Sequence, residues 1–372
     1  MKKIIVLLIL GVCLAVGCTT TTTKNSGGEK ENGIVVLDVK NPGGDPIKFR
    51  DLVDSVRIVV LDESVEKALI SYIGNIHKYG GRIIVEDHSS DYPVKFFDDN
   101  GKFVNAIRRG QGPGEVDNFG ASYYNVDTKE FVFYNGLSLS FFDNDGNFKS
   151  KVDCQVPCNK ITCLNGDYLF YSHPFYFSSI SDYFFAVADK NFKIKYQACP
   201  YAKSDKYNGL SDGWDSKTFR NYGDRVEFQA NDTIFSYDGK TLTPIMNVKY
   251  ERRRDEKDHI STFLFYISNG KTQILHVHNM IVDERYVIVR DAESGHYFIS
   301  PDTDDDYLDS DIYSWTHALE DGDMCVSLDC EDMADIIEDT PEFINRLTPE
   351  QQKVLKTDED AHWLVFFKFK DF

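Results

Sequence analysis

Basic side chains are in short supply in this 372-residue chain. It has 41 Lys and Arg against 60 Asp and Glu, a formal net charge of −19. Nucleic acid is therefore a poor partner, because phosphate contacts need clustered cations. Long apolar runs are missing too: the N-terminal stretch 4–16 falls short of the ~20 residues that span a bilayer. No Gly-x-Ser-x-Gly elbow and no His-Glu-x-x-His helix occurs, so the common hydrolase templates find no support. The cysteines include no Cys-x-x-Cys pair with a matched His, which argues against structural zinc.

What the N-terminus does contain is an export signal. Lys2 and Lys3 precede the short apolar run, and small residues follow at Gly17-Cys18. Ala15-Val16-Gly17-Cys18 resembles a bacterial lipobox, with Ala15 where Leu is usual, and assigns lipidation to Cys18. Residues 1–17 then form the signal peptide, and 18–33, opening on the Thr19 to Thr23 run, a flexible tether. Cleavage removes two lysines and no acid, leaving 39 basic against 60 acidic side chains. Six cysteines remain in the folded part: Cys154, Cys158, Cys163, Cys199, Cys325 and Cys330. An exported chain leaves disulfides and buried thiols both open for them.

The fold is announced by a repeat. Phe96-Phe97-Asp98-Asp99-Asn100-Gly101-Lys102-Phe103 returns 45 residues later as Phe141-Phe142-Asp143-Asn144-Asp145-Gly146-Asn147-Phe148. Aromatic strands around an Asp/Asn-Gly turn at that period match one β-propeller blade. The pattern continues, degenerate, at Ala188-Asp189-Lys190-Asn191-Phe192, at 232–242 and at 286–299. These give an all-β, six-bladed β-propeller over 34–372. Its sixth blade is assembled from the early run 56–61 and the terminal run 362–369, which would leave no open ring edge. Thr348-Pro349-Glu350-Gln351 is a capping box that opens a short helix, and 332–337 suits a further helical turn. Together they read as a helical insertion before the last strand.

Three segments carry a resemblance: Arg109-Gly110-Gln111-Gly112-Pro113-Gly114-Glu115, Asn231-Asp232-Thr233-Ile234-Phe235 and the closing run 357–365. They resemble signatures of the six-bladed β-propeller lipoproteins of Bacteroides-type bacteria, which are NHL/TolB-like propellers. In the closing run, Ala361-His362-Trp363 departs from that pattern. The resemblance implies a propeller fold and a cell-envelope location, and no common activity.

Two candidate sites emerge. The glycines of the loop, Gly110, Gly112 and Gly114, expose backbone N–H groups that can make an anion nest beside Arg108, Arg109, Gln111 and Glu115. His276 and His278 lie on one face of a strand, a spacing that a divalent metal can use. The acidic run 302–311 lacks the Gly and terminal Glu of a calcium loop and reads as solvated. The leading expectation is a non-catalytic binding or scaffold lipoprotein at the outer membrane. It would hold a peptide, glycan or protein partner and use no cofactor. The alternative is a metal-dependent lactonase- or lyase-like enzyme with His276 and His278 as ligands. Thr19 to Lys24 carries no acid after Cys18, which favours the periplasmic face of the membrane. Oligomeric state is not legible.

Overall fold

The computed structural model describes residues 29–31, 34–38, 53–116, 120–172, 182–200, 219–230, 232–249, 262–279, 284–301, 316–339, 341–357 and 360–370. Cys18 and the acidic run 302–311 lie outside them. The described strands form six sheets, the blades of a propeller ring. Blade 1 comprises Asn75–Tyr79, Arg82–Glu86, Val94–Asp98 and Phe103–Ile107, counted from the channel outward. Blade 2 comprises Ala121–Asn125, Glu130–Tyr134, Ser138–Phe142 and Phe148–Asp153, and blade 3 Lys160–Leu164, Asp167–Tyr171, Tyr183–Ala188 and Ile194–Pro200. Blade 4 is Phe219–Asn221, Val226–Ala230, Thr233–Tyr237 and Leu242–Lys249, and blade 5 is Thr262–Ser268, Thr272–Asn279, Glu284–Asp291 and Tyr297–Pro301.

Blade 6 uses both ends of the chain, as the two apolar runs require. His317–Ala318, Met324–Leu328 and Trp363–Phe369 are completed by Val53–Val60, with Trp363 opposite Val60 and Val365 opposite Ile58. A second N-terminal pairing was not expected. Ile34–Asp38 adds in parallel to Leu242–Lys249 at the outer edge of blade 4, and Glu29–Glu31 pairs with it. Part of the expected tether is therefore strand. Its Glu-Lys-Glu sequence puts charge on the outermost edge, where charge discourages pairing with another chain.

The repeat marks the hairpin between the third and fourth strands of a blade. In each clean copy the leading Asp, more than the Gly, fixes the turn. Asp98 Oδ1 accepts the N–H groups of Asn100 and Lys102, at 2.8 and 2.9 Å. Asp143 Oδ1 takes those of Asp145 and Asn147 at 2.9 and 2.8 Å. Asp189 repeats the pattern in blade 3, where Phe192 stands in the left-handed region at φ 59°. The glycine also brings each hairpin against the preceding blade. A Cβ on Gly101 would lie 2.1 Å from the Val60 carbonyl of blade 6, and one on Gly146 2.6 Å from the Phe96 ring of blade 1.

The apolar core is divided accordingly. Among the described residues, six buried clusters occur, one at each seam between neighbouring blades. That is how a propeller adds length without enlarging a single core. The helices Cys330–Asp339 and Pro349–Thr357 sit between the second and third strands of blade 6. Their capping is reciprocal: Thr348 Oγ1 accepts the Gln351 N–H at 3.2 Å, and Gln351 Oε1 accepts the Thr348 N–H at 2.8 Å. Met333, Ile336, Phe343 and Leu347 bury against Trp363 in the blade 5–6 cluster. Gln351 Nε2 donates to the Ile58 carbonyl (2.8 Å), so the insertion also covers the outer strand of blade 6. No described helix is long and apolar enough to cross a membrane. No disulfide joins the six cysteines, and burial pushes the thiols of Cys163 and Cys199 up to about 11.

Candidate functional site: the mouth of the central channel

A cavity of about 390 Å³ opens where the innermost strands run out into their first hairpins. All six blades contribute to it. Their middle strands, such as Arg82–Glu86 and Glu130–Tyr134, are almost continuously apolar. The innermost strands instead interleave polar residues that point to the axis, among them His77, Ser122, Thr162 and Asn221.

The wall between blades 6 and 1 is built around His77, which is 2% exposed. Its Nδ1 lies 2.7 Å from Glu320 Oε1, and its Nε2 lies 2.9 Å from Glu86 Oε1. A carboxylate at each ring nitrogen favours the doubly protonated imidazolium, since each contact then has a donor. Glu86 also accepts from Asn75 Nδ2 at 2.8 Å and from the Ser122 hydroxyl. Burial alone would push the Glu86 carboxyl up. The hydrogen bond and charge of His77 outweigh it, with His88 and Ser122 assisting, and bring it down to about 2. Glu320 Oε2 accepts the Lys78 N–H at 2.9 Å, so one carboxylate ties the blade 6 hairpin to two successive residues of blade 1. The Lys78 ammonium pairs with Asp321 and, at 3.1 Å, with Asp323. Burial opposes its charge, but these carboxylates hold its pKa above the usual lysine value.

Behind the part of the wall on blades 4 and 5, where Tyr222 and Ser268 line the cavity, runs a chain of hydrogen bonds. Glu227 Oε2 accepts from Tyr266 at 2.6 Å and from Tyr222 at 3.3 Å, while Arg225 Nε approaches Oε1 at 3.1 Å. Tyr266 in turn accepts from Gln273 at 3.1 Å, and Gln273 Oε1 from Arg290 at 2.5 Å. Ser268 Oγ lies 2.8 Å from the Tyr222 hydroxyl, and Arg220 Nη2 donates to the Tyr266 carbonyl at 3.0 Å. Burial pushes the hydroxyls of Tyr222 and Tyr266 well above the usual tyrosine value, and the Glu227 charge adds to it. Both phenols stay protonated donors.

The residues singled out from sequence lie elsewhere. The loop 108–116 does connect the outer strand of blade 1 to blade 2, but it serves its own carboxylate. Glu115 Oε2 accepts the Gly112 N–H at 2.9 Å, and a Cβ on Gly110 would fall 2.0 Å from that oxygen. Arg109 Nη2 donates to the carbonyls of His88 (2.9 Å) and Ser90 (2.5 Å), clamping the turn within blade 1. Arg108 and Gln111 are exposed, and none of 108–115 lines the cavity. His276 is buried in the second strand of blade 5, opposite Phe265 and Val287, and does not line the cavity either. For His278 only the backbone, in the same strand, is described. Among the described residues no group of three His, Cys, Asp or Glu is placed to hold a metal ion.

Sequence reasoning missed His77, Glu86 and Glu320. A signal was present in Asn75-Ile76-His77-Lys78-Tyr79, where polar residues interrupt a strand with no solvent-facing side. Glu320 carries no such mark, because it meets His77 from 243 positions away.

The fold and channel define a six-bladed β-propeller closed through its N-terminal strand. Residues 34–367 match the family described as "Domain of unknown function (DUF4934)", and the chain belongs to that family. It is similar to a Bacteroides fragilis NCTC 9343 protein described as "Putative exported protein". That structure has 15% identity and a TM-score of 0.69, and the likeness covers 91% of this chain and 100% of the other. A protein of unknown function from Bacteroides caccae has 13% identity and a TM-score of 0.34, covering 65% and 90% of the two chains. BamB from Moraxella catarrhalis has 10% identity and a TM-score of 0.35, covering 66% and 78%. No curated protein matches the chain.

Proposed function

We propose that this protein is an exported binding module, held at the outer membrane through lipidated Cys18 on the periplasmic side, that captures a ligand in the mouth of its channel. The observation that carries the reading is the cavity itself. It is concave, of small-molecule size, and lined by polar groups on the innermost strands and the hairpins that follow them. His77, Glu320, Asn221 and Tyr222 have their hydrogen-bonding geometry set by neighbours rather than by a nucleophile–base pair, which suits recognition better than chemistry. The export signal, and the description of the B. fragilis relative as exported, support the compartment. The expected ligand is a peptide, a glycan or a segment of a protein partner.

The test is native mass spectrometry of the mature chain after incubation with fractionated envelope extract. Compounds retained by the wild type and lost by Ser122→Trp, which fills the cavity, are the expected result. Retention that is equal in both, with the variant's fold verified by circular dichroism, overturns the reading. Cys18→Ala is expected to release the protein from the membrane fraction.

A further inference from the structure

The two faces of the ring differ in what they expose. The innermost strands run toward the cavity mouth and successive strands alternate in direction, so both hairpins of each blade stand on the mouth face. The loops between second and third strands, and those that pass from blade to blade, stand on the far face. Among the described residues the four most exposed large apolar side chains are Leu137 (68%), Leu69 (52%), Tyr72 (50%) and Val65 (46%). Leu137 lies between the second and third strands of blade 2, and the other three lie in the 61–74 connection from blade 6 to blade 1. All four therefore stand on the far face. The less exposed ones, such as Phe148 and Tyr196, lie on the outer strands of blades 1 to 3, and none lies in a described hairpin of the mouth face.

The 61–74 connection does not expose these side chains by being loose. Its Ile70 N–H donates to Glu63 Oε2 at 2.7 Å and its Ser71 N–H to Asp87 Oδ2 at 2.8 Å. Ala68, Ile70 and Ile73 turn into the blade 6–1 cluster, while Val65, Leu69 and Tyr72 stay outside on the same anchored backbone. Such a group of apolar side chains, with a tyrosine among them, suits an interface where apolar and polar surroundings meet.

The N-terminal strands approach the ring at the same face. The outer strand of blade 4 runs away from the mouth, and Ile34–Asp38 runs parallel to it, with Asp38 opposite Lys249 at its far end. Glu29–Glu31 runs back alongside, Glu29 opposite Val36 and Glu31 opposite Ile34, so Glu29 lies nearer the far face than Glu31 does. Glu29 is only eleven residues after Cys18, a reach of at most ~40 Å. A lipid on Cys18 therefore keeps the far face close to the bilayer at the rim of blade 4. Blade 4 stands across the ring from blade 1, so the anchor and the 61–74 connection would hold this face at opposite sides. Acids outnumber bases in its described loops, with Glu66 exposed beside Leu69 and Glu331 and Glu338 exposed on the helical insertion. Anionic lipid would repel such a face, and zwitterionic lipid would not.

We propose that the far face rests on a zwitterionic phospholipid surface, with Val65, Leu69, Tyr72 and Leu137 entering the headgroup region and the cavity mouth turned away from the membrane. The inference rests on the reading of Cys18 as the membrane anchor and adds the orientation. Four partly exposed side chains are too few to hold the protein alone, so the lipid and the face act as two weak signals acting together.

Tryptophan quenching tests it on the lipidated protein in phosphatidylcholine vesicles, with and without brominated acyl chains. Leu69→Trp and Leu137→Trp probe the far face, and Lys190→Trp probes the exposed repeat hairpin of blade 3 on the mouth face. After subtraction of the wild-type signal, the first two should lose about half of their added emission to the brominated lipid, and the third none. Replacing part of the lipid with phosphatidylglycerol should reduce the quenching, and a rise would overturn the zwitterionic surface. Hydrogen exchange on the unsubstituted protein gives a second readout. Amides of 64–72 and 136–138 should exchange more slowly on vesicles than in the dissolved Cys18→Ala chain, with 99–102 unchanged. Equal quenching at all three positions, quenching confined to Lys190→Trp, or no slowing of exchange overturns the orientation. Vesicles that carry the protein without quenching either far-face tryptophan also overturn it and leave the anchor standing. Failure of the wild type to float with vesicles removes the anchor and the orientation together.

Discussion

The seam between blades 3 and 4 and the seam between blades 6 and 1 hold neighbouring sheets together by different physics. At the first, five of the ten buried residues of the cluster are aromatic; at the second, only two of thirteen are. Phe185 stacks on Phe228 with centroids 4.6 Å apart and planes 15° from parallel, and Tyr196 lies parallel to Tyr237. The blade 6–1 seam has an aliphatic floor of Val59, Ile76, Ile83, Val85 and Leu364, topped by the His77 and Lys78 ion pairs. Aromatic area is non-directional and tolerates small slips. A carboxylate at each nitrogen of a buried imidazole does not. The polar seam is therefore the one that can hold side chains in register at the cavity, and the aromatic seam supplies bulk cohesion.

Phe228→Ala should give the largest effect. Removing a fully buried ring that contacts Tyr171, Phe185, Phe219 and Phe235 should cost about 3–5 kcal/mol in denaturant unfolding, with no change between pH 7 and pH 3.5. A loss under ~1 kcal/mol would mean that the seam repacks and that the contrast between seams is false.

His77→Gln tests the other side. The Glu86 carboxyl, lowered from 4.5 to about 2, contributes stability that is fully present above the unfolded value and is lost as pH falls through that interval. In the wild type, hydrogen-exchange protection of Asn75–Tyr79 and Met324–Leu328 should therefore drop from pH 5 toward pH 2.5, while that of Val226–Ala230 holds. In the variant Glu86 is buried without its cation, so about 3 kcal/mol should already be missing at pH 7 and the acid-dependent step should vanish. An unchanged acid step in the variant would assign it to some other carboxylate.

The smallest effect sharpens the comparison through glycine. Gly101 and Gly136 have nearly the same φ, 83° and 89°, but a Cβ on Gly101 meets the Val60 carbonyl, and one on Gly136 meets nothing within 4 Å. Gly136→Ala should cost about 1 kcal/mol, the left-handed penalty alone. Gly101→Ala adds an overlap at the 6–1 seam and should cost about 2–3 kcal/mol. Equal thermal shifts for the two would show that the hairpin does not bear on the preceding blade.

These contrasts also explain what could be read from the chain. The hairpin repeat, ring closure and the capping box at Thr348 are local or strongly periodic, so residue pattern alone determines them. The parallel addition of Ile34–Asp38 to blade 4 is neither, because the four-residue apolar run Ile34 to Leu37 carries no mark of its partner. The site was less legible still. The loop at Arg109 looked like an anion nest because exposed N–H groups show in the sequence. That Glu115 would fold back to fill it depends on a conformation. His77 and Glu320 meet only after the ring has closed.

The pairing of the earliest strands with late ones also fixes an order of events in time. Val53–Val60 must wait for Trp363–Phe369, and Ile34–Asp38 for Leu242–Lys249. A chain that emerges N-terminus first can assemble blades 1 to 3 while the segment ahead of them stays unpaired. Loop closure across nearly the whole chain comes last and makes the final step slow. The charged wall of the cavity, shared between blades 6 and 1, comes into being only at that step. A chain that stops short of its last strand would hold most of its blades but could not close the ring around its cavity.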